Sequence, residues 1–194
     1  MNGQNLVDSP GNITGDSKVL SSETRAVIVR EQLFGQAGMS VYAVLDAASI
    51  PESTSLMKGL KHQHCCLFSG DLAGGVAEAA PYLTHLAPDD ALTNMAFGNG
   101  WGNAWGIYAL IPKQVEFQTV RRHFRKFLMV RSPEGEPIYF RYYDPRVFRV
   151  YLPTCTAEEG AYVFGPVQYY FMESEEGDSF LRFEKNKKSP DRLN

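Results

Sequence analysis

The stretch 104-AWGIYALIPKQVEFQTVRRHFRKFL-128 contains the two patterns that decide the fold of this chain. Residues 104–111 form a β-favouring apolar run, which predicts a buried strand. From Pro112 to about Phe127, apolar residues recur at helical spacing and basic residues lie largely outside their face. The apolar residues are Val115, Val120, Phe124, Phe127 and Leu128, and the basic ones are Arg121, Arg122, Arg125 and Lys126. A strand followed by an amphipathic helix predicts a helix packed on a β-sheet.

The same alternation continues toward both ends of the chain. On the N-terminal side we expect a helix from residue 21 to Gly35 with Ser21 or Ser22 as its cap, a strand at 41–45, a helix from Pro51, a strand at 65–68 and a helix from about Asp89. On the C-terminal side we expect a hairpin of strands 127–130 and 138–142, a helix from Asp144, a β-rich stretch at 163–172 and an edge strand at 180–183. These elements predict an α/β (α+β mixed) fold, in which helices pack on a mixed β-sheet of about five or six strands.

The length of 194 residues suits one domain with short appendages. Residues 1–20 are rich in Asn, Gly, Ser and Asp, and we expect a flexible leader there. Residues 21–184 are expected to form a single domain, and residues 185–194 a loose basic tail.

Composition excludes several classes of protein. A net charge of −3 argues against nucleic acid as the main partner, because phosphate binding usually requires a basic excess. The first residues lack a basic start and an apolar run, so they do not resemble a secretory signal. No stretch has the roughly 18–20 apolar residues of a membrane helix, so membrane insertion is not expected. Three cysteines, two of them adjacent, indicate reduced thiols in the cytoplasm.

Histidines and cysteines come together once, around residues 62–66. A structural zinc site needs four ligands, usually as two separated pairs, and the second pair is missing. The residues concerned are His62, His64, Cys65 and Cys66, with His85, His123 and Cys155 scattered elsewhere. The apolar residues Leu67 and Phe68 predict burial of the thiols and a raised thiol pKa. We therefore expect no metal, no cofactor and no catalytic residue, and no G-x-S-x-G motif marks a serine nucleophile.

Both tryptophans lie in the glycine-rich segment Phe97-Gly-Asn-Gly-Trp-Gly-Asn-Ala-Trp-Gly106. Its glycine spacing matches neither phosphate-binding pattern, since a β-type run follows instead of a helix. A loop that packs Trp101 and Trp105 is therefore favoured over a nucleotide site. The two residues are partner-binding anchors if they are exposed, and core residues if they are buried.

The segment Phe140-Arg-Tyr-Tyr-Asp-Pro-Arg-Val147 predicts a strand-to-helix corner. Asp144 is a strong helix N-cap residue, and Pro145 suits the first helical position. Arg141 and Arg146 are close enough to pair with Asp144 or with another carboxylate. Spacing alone favours a structural corner, and the alternative is an arginine-bearing edge that grips an acidic or backbone-rich partner surface.

Five short motifs occur in a fixed order over about residues 40–170: Tyr42-Ala-Val-Leu-Asp-Ala-Ala48, Leu67-Phe-Ser-Gly70, Ala80-Pro-Tyr-Leu83, Arg141-Tyr-Tyr-Asp-Pro-Arg-Val147 and Phe164-Gly-Pro166. Together they make the chain resemble the DUF4123 family of type VI secretion effector adaptors, also described as effector chaperones. The segment 141–147 matches the family's R-[FY]-Y-D-P-R-V motif at every position. One departure is Ala80, where the family usually has glycine, which puts the geometry of that turn in question.

The resemblance implies a protein that stays in the cytoplasm of a Gram-negative bacterium and binds a toxic effector without catalysis. Such a protein helps to load its cognate effector onto the VgrG spike or its PAAR cap. The candidate partner-binding residues are Arg141, Tyr143, Arg146, Trp101 and Trp105, and the candidate structural residues of the motifs are Asp46, Asp144, Pro145, Gly165 and Pro166. Two alternatives stay open: a small enzyme that uses Cys65, Cys66 or a His–Asp pair, and an immunity-type protein that neutralises a toxin.

Overall fold

The computed structural model describes residues 22–60, 62–68 and 79–193. The predicted leader, Ser21 as a helix cap and the Ser69-Gly70 end of the second motif lie outside these residues. The helices are α1 (Ser22–Phe34), α2 (Ser53–Lys58), α3 (Ala91–Gly98), α4 (Phe117–Arg125), α5 (Pro145–Tyr151) and α6 (Ala157–Phe164). The strands are β1 (Met39–Asp46), β2 (His64–Cys66), β3 (Pro81–Leu86), β4 (Gly106–Pro112), β5 (Met129–Arg131), β6 (Pro137–Tyr139), β7 (Tyr169–Glu173), β8 (Phe180–Glu184) and β9 (Asp191–Leu193).

One seven-stranded sheet organises the described residues, in the order β2-β3-β1-β4-β7-β8-β9. Every neighbouring pair in it is antiparallel. The central strands β1 and β4 are in register through Val44 opposite Ile107, and β4 meets β7 through Ala109 opposite Tyr170. Strands β5 and β6 form a separate two-stranded hairpin.

Both faces of the sheet are covered, which explains why β1 and β4 read as continuous apolar runs rather than as alternating ones. On one face, Val44 and Ile107 pack against α4, α5 and α6 through residues such as Phe124 and Phe148. On the opposite face, alternate strand residues pack against α1, α2 and α3 together with the tryptophan loop. The core residues from that second set of helices are Leu33, Met57, Leu92, Ala96 and Phe97.

The mixed α and β fold class predicted from sequence is confirmed. The sheet is larger than expected, and it is antiparallel throughout rather than mixed. Seven strands replace the expected five or six, because Pro81–Leu86 and Asp191–Leu193 also pair. Helix α6 was not expected, and its last two residues, Val163 and Phe164, overlap the start of the stretch expected to be β-rich. It begins with a capping box, in which Thr156 accepts a hydrogen bond from the Glu159 backbone and the Glu159 carboxylate accepts one from Thr156.

The C-terminal segment corrects the expectation of a loose basic tail at 185–194. Residues Asp191–Leu193 form β9, which pairs with β8, so that the predicted edge strand 180–183 is covered. Asp191 accepts hydrogen bonds from Arg182 at 2.8 Å and from Lys187 at 2.5 Å. Among the basic residues of this segment, Lys187 pairs with Asp191, Lys185 donates to the Gly165 carbonyl, and Arg192 pairs with Glu176 and Asp178. None of the described helices combines the length and the apolar character needed to cross a membrane.

Candidate partner-binding site

The segment 141–147 connects the β5–β6 hairpin to helix α5. The Asp144 backbone N–H donates to the Arg141 carbonyl at 3.0 Å, which closes a turn ahead of the helix. Asp144 is the N-cap residue of α5: its Oδ1 accepts from the Arg146 backbone N–H at 2.9 Å, and Pro145 occupies the first turn. The predicted strand-to-helix corner with Asp144 as its cap is confirmed.

The Arg146 guanidinium binds the Asp144 carboxylate in a two-pronged pair. Nε donates to Oδ1 at 2.9 Å, and Nη2 donates to Oδ2 at 2.7 Å. Burial by itself raises the pKa of Asp144, but the hydrogen bonds and positive charge of Arg146 outweigh it and leave this pKa below its usual value. The pair is therefore ionised at neutral pH.

A second buried carboxylate, Asp46 at the end of β1, binds Arg141. Its oxygens accept hydrogen bonds from the Ala48 backbone and the Ser49 hydroxyl, and Oδ2 also accepts from Arg141 Nη2. The same Nη2 lies 3.7 Å from Asp144 Oδ2, so that Arg141 bridges both carboxylates. We refer to Asp46, Arg141, Asp144 and Arg146 as the arginine–carboxylate cluster.

Strand topology brings a third carboxylate to the same edge of the sheet. Strands β1 and β7 both run antiparallel to β4, so their C-terminal residues Asp46 and Glu173 lie at one edge. Glu173 accepts hydrogen bonds from the backbone N–H groups of Gly102 at 2.8 Å and Ala104 at 3.1 Å. Burial raises the pKa of Glu173, and these two donors oppose that rise. Glu173 thus fixes a loop in which both residues adopt positive φ angles, +77° and +54°.

The five predicted partner-binding residues divide into two groups. The side chains of Arg141 and Arg146 remain 47% and 57% exposed. Tyr143, Trp101 and Trp105 are buried in the two cores. Because a buried side chain offers almost no surface to a partner, the assignment of these three residues as anchors is corrected to a role in the core.

The tryptophan loop packs inward for a specific reason. The Trp101 ring lies 3.8 Å from the Phe180 ring, and its Nε1 donates to the Gly177 carbonyl at 2.7 Å. Buried tryptophan is stable where its N–H finds such an acceptor. Gly100 is required beside the second tryptophan, because a Cβ there would lie 2.7 Å from the Trp105 ring.

Gly165 and Pro166 of the last motif form a turn at the end of α6. Gly165 has a φ of +47°, and a Cβ at this position would lie 2.6 Å from the imidazole of His123. His123 is buried and its Nε2 lies 3.0 Å from the Val163 carbonyl, while the half-buried Pro166 follows the turn. The motif therefore has a structural role, as expected.

Ala80, where the family usually has glycine, does not adopt a positive φ angle. Among the described residues, the non-glycine residues with positive φ are Glu52, Ala104 and Asn186. Alanine is therefore compatible with this turn.

The residues considered for metal binding or thiol catalysis do not converge on a site. Among residues 22–60, 62–68 and 79–193, no group of three or more His, Cys, Asp or Glu side chains is arranged to hold a metal ion. Burial raises the thiol pKa of Cys65, Cys66 and Cys155, which disfavours their nucleophilic thiolates.

A His–Asp pair borders a separate cavity of about 630 Å³ between α2 and the start of α3. His62 Nε2 lies 3.3 Å from Asp90 Oδ2. Asp90 is the N-cap residue of α3, yet its side chain makes no capping hydrogen bond. The cavity is lined by different elements from those that form the arginine–carboxylate cluster.

Sequence reasoning missed two exposed apolar residues beside the cluster, Val147 and Val150 on α5, which are 37% and 66% exposed. The sequence signal that could have identified them is their spacing. Residues three apart on a helix lie on the same side, and here that side is opposite the buried Phe148. The exposed surface near Arg146 is therefore both cationic and aliphatic.

Comparison with known proteins agrees with the motif pattern. The sequence model of the family described as "Domain of unknown function (DUF4123)" matches residues 41–161, which include most of the first strand, the arginine–carboxylate cluster and most of α6. No curated protein matches the chain significantly. No solved structure does so either. Since the match spans more than half of the 194 residues, the chain belongs to the DUF4123 family.

Proposed function

We propose that this chain is a non-catalytic adaptor, or chaperone, of a type VI secretion system. In this proposal it binds a cognate effector in the bacterial cytoplasm and helps to load that effector onto the VgrG spike or its PAAR cap. Membership of the DUF4123 family carries the proposal, because adaptor activity is the role that the resemblance implies for such chains. Neither nucleic acid nor membrane insertion has a part in it.

The geometry of the arginine–carboxylate cluster supports a binding role. Two buried carboxylates hold two partly exposed guanidinium groups at the surface, and each guanidinium has more N–H donors than its carboxylate contacts use. Arginine is enriched among the residues that dominate protein–protein interfaces, and a guanidinium held in place loses less conformational entropy on binding. Arg141 and Arg146 are therefore the residues that we propose to contact the partner.

The enzyme alternative has weaker support. Its candidate nucleophiles, Cys65 and Cys66, have raised thiol pKa values because they are partly buried. Thiol titration with a chromogenic disulfide over a pH series tests this alternative. Slow reaction of both thiols near neutral pH, with rates that rise only above the ordinary thiol pKa, agrees with the adaptor proposal. Rapid reaction of either thiol at pH 7 favours the enzyme alternative.

The direct test of the proposal is co-purification. The tagged chain is co-expressed with the effector, the VgrG protein or the PAAR protein encoded in the same gene cluster, and each complex is isolated by size-exclusion chromatography. We expect a stable complex with at least one of them. A folded chain that captures none of the three overturns the proposal. An immunity-type protein is distinguished by toxicity assays, because expression of the chain alone then protects cells from the effector.

A further inference from the structure

Helix α5 has an outer face of unusual composition. Val147 and Val150 are three residues apart, and Arg146 precedes Val150 by four, so all three side chains lie on one side of the helix. All three are exposed, whereas Phe148 on the opposite side is fully buried. An amphipathic surface helix normally turns its aliphatic residues inward. Two exposed valines next to an arginine therefore need a different explanation.

The charge on this face has one sign. Helix α5 contains Arg146 and Arg149 and no acidic residue. The neighbouring carboxylates of Asp46 and Asp144 are buried, so a partner meets the guanidinium groups and not the acids beneath them. Arg141 adds a third exposed or half-exposed arginine close by, because its Nη2 and that of Arg146 both approach Asp144 Oδ2, at 3.7 Å and 2.7 Å.

A second exposed apolar surface, on the β5–β6 hairpin, is less selective. The β5–β6 hairpin exposes Ile138 and Tyr139, but it also contains Glu134 and Glu136 beside Arg131. Because the hairpin carries both positive and negative side chains, its charge does not favour an acidic or a basic partner. Pro137 also lacks the N–H that a strand added to this edge needs, and proline is a common protection of exposed strand edges. The face of α5 has a composition that selects one kind of ligand.

We propose that the outer face of α5, formed by Arg146, Val147 and Val150 with Arg141 beside it, binds an acidic segment of the partner that also carries aliphatic side chains. Partner carboxylates pair with the oriented guanidinium groups, and partner aliphatic groups cover the two valines. This inference rests on the proposed adaptor function and names the chemistry that its binding site recognises.

Substitutions that introduce opposite charges at Val150 test the sign of the charge on the partner segment. Val150 is 66% exposed and takes no part in the hydrogen bonds of the arginine–carboxylate cluster, so Val150→Glu and Val150→Lys are expected to fold like the wild type. Affinity for the effector or spike protein that co-purifies is measured by calorimetry at low salt. We expect Val150→Glu to weaken binding and Val150→Lys to strengthen it, each roughly three-fold. Both effects are expected to shrink at 0.5 M salt, where charges are screened.

The same two substitutions at Val27 provide the matched control. Val27 is 55% exposed on α1, and α1 packs on the opposite face of the sheet from α5. We expect no charge-dependent change there. If Val150→Glu strengthens binding and Val150→Lys weakens it, the partner segment is basic and the inference is wrong. If both substitutions weaken binding equally, the contact is purely apolar and the inference is also wrong. Unchanged affinity for both variants places the binding site elsewhere while the adaptor function stands. A wild-type chain that captures no partner overturns the adaptor function itself.

Discussion

The Arg146 guanidinium donates two hydrogen bonds to the buried Asp144 carboxylate while more than half of its own side chain stays exposed. This arrangement assigns different roles to two neighbouring residues of the family motif. Asp144 begins helix α5 and holds the arginine, and Arg146 faces solvent. Substitutions that separate folding from binding follow from this difference.

Asp144→Ala is expected to lower the free energy of unfolding by about 0.5–2 kcal/mol, because the helix loses its N-cap acceptor. Urea denaturation monitored by circular dichroism measures the change. Thr156→Ala, which removes the cap of α6, is a comparison of the same kind away from the cluster. An Asp144→Ala variant as stable as the wild type contradicts the capping role.

Arg146→Ala is expected to weaken partner binding more than it weakens the fold. The loss of stability should be about 1 kcal/mol at neutral pH, because the pair is partly exposed and Arg141 still faces the Asp144 carboxylate. Calorimetric binding and thermal unfolding are measured on the same sample. If the melting temperature falls sharply and the affinity is unchanged, the arginine is structural.

The stability difference between the wild type and Arg146→Ala should depend on pH in a defined direction. The pKa of Asp144 is lowered in the folded chain, so its pairing contributes stability above the unfolded pKa of about 3.9. That contribution is lost as the pH falls through the lowered folded pKa. Urea midpoints of both proteins should therefore differ at pH 6 and converge in acid. If the difference between the two urea midpoints widens in acid, the ion pair of Asp144 is not the source of this stability.

His123 should make the wild-type fold sensitive to mild acid. Burial is the main reason that its pKa is lowered from 6.5 to about 4, so the unfolded chain binds a proton that the folded chain excludes. The stability from neutral His123 is complete above pH 6.5 and is lost as the pH falls toward 4, a difference of about 3 kcal/mol. In His123→Gln this part of the pH dependence should be absent. Parallel stability curves for the two proteins contradict the prediction.

Gly165→Ala is expected to lower the free energy of unfolding by about 1–3 kcal/mol, because its φ of +47° is strained for alanine and the new Cβ collides with His123. Gly160→Ala is the matched control within α6. A Cβ at Gly160 meets no atom within 4 Å, so this change should leave stability unaltered or raise it by up to about 1 kcal/mol. Similar effects at both positions contradict the packing argument for the Phe164-Gly-Pro166 motif.

Local sequence patterns were sufficient for the elements that carry strong signals. The apolar run of β4 and the periodic face of α4 predicted a helix packed on a sheet, and Asp144-Pro145 predicted the start of α5. Strand β9 was missed because three residues among basic neighbours carry no strand pattern, and only pairing with β8 orders them. Helix α6 was missed because its capping box precedes a short helix that runs directly into a β-rich stretch.

The sequence by itself determined the fold class, the helix-starting corner at Asp144 and, through ordered motifs, the family. Capping and periodicity act over a few residues, so they can be read locally. Only the tertiary structure decided which motif residues reach the surface. Trp101, Trp105 and Tyr143 are buried by elements distant in sequence, and Asp46 meets Arg141 across 95 positions because the packing of α5 on the sheet brings the start of this helix to the end of β1. Burial and long-range pairing depend on how the elements pack, and the local pattern around each residue does not contain that information.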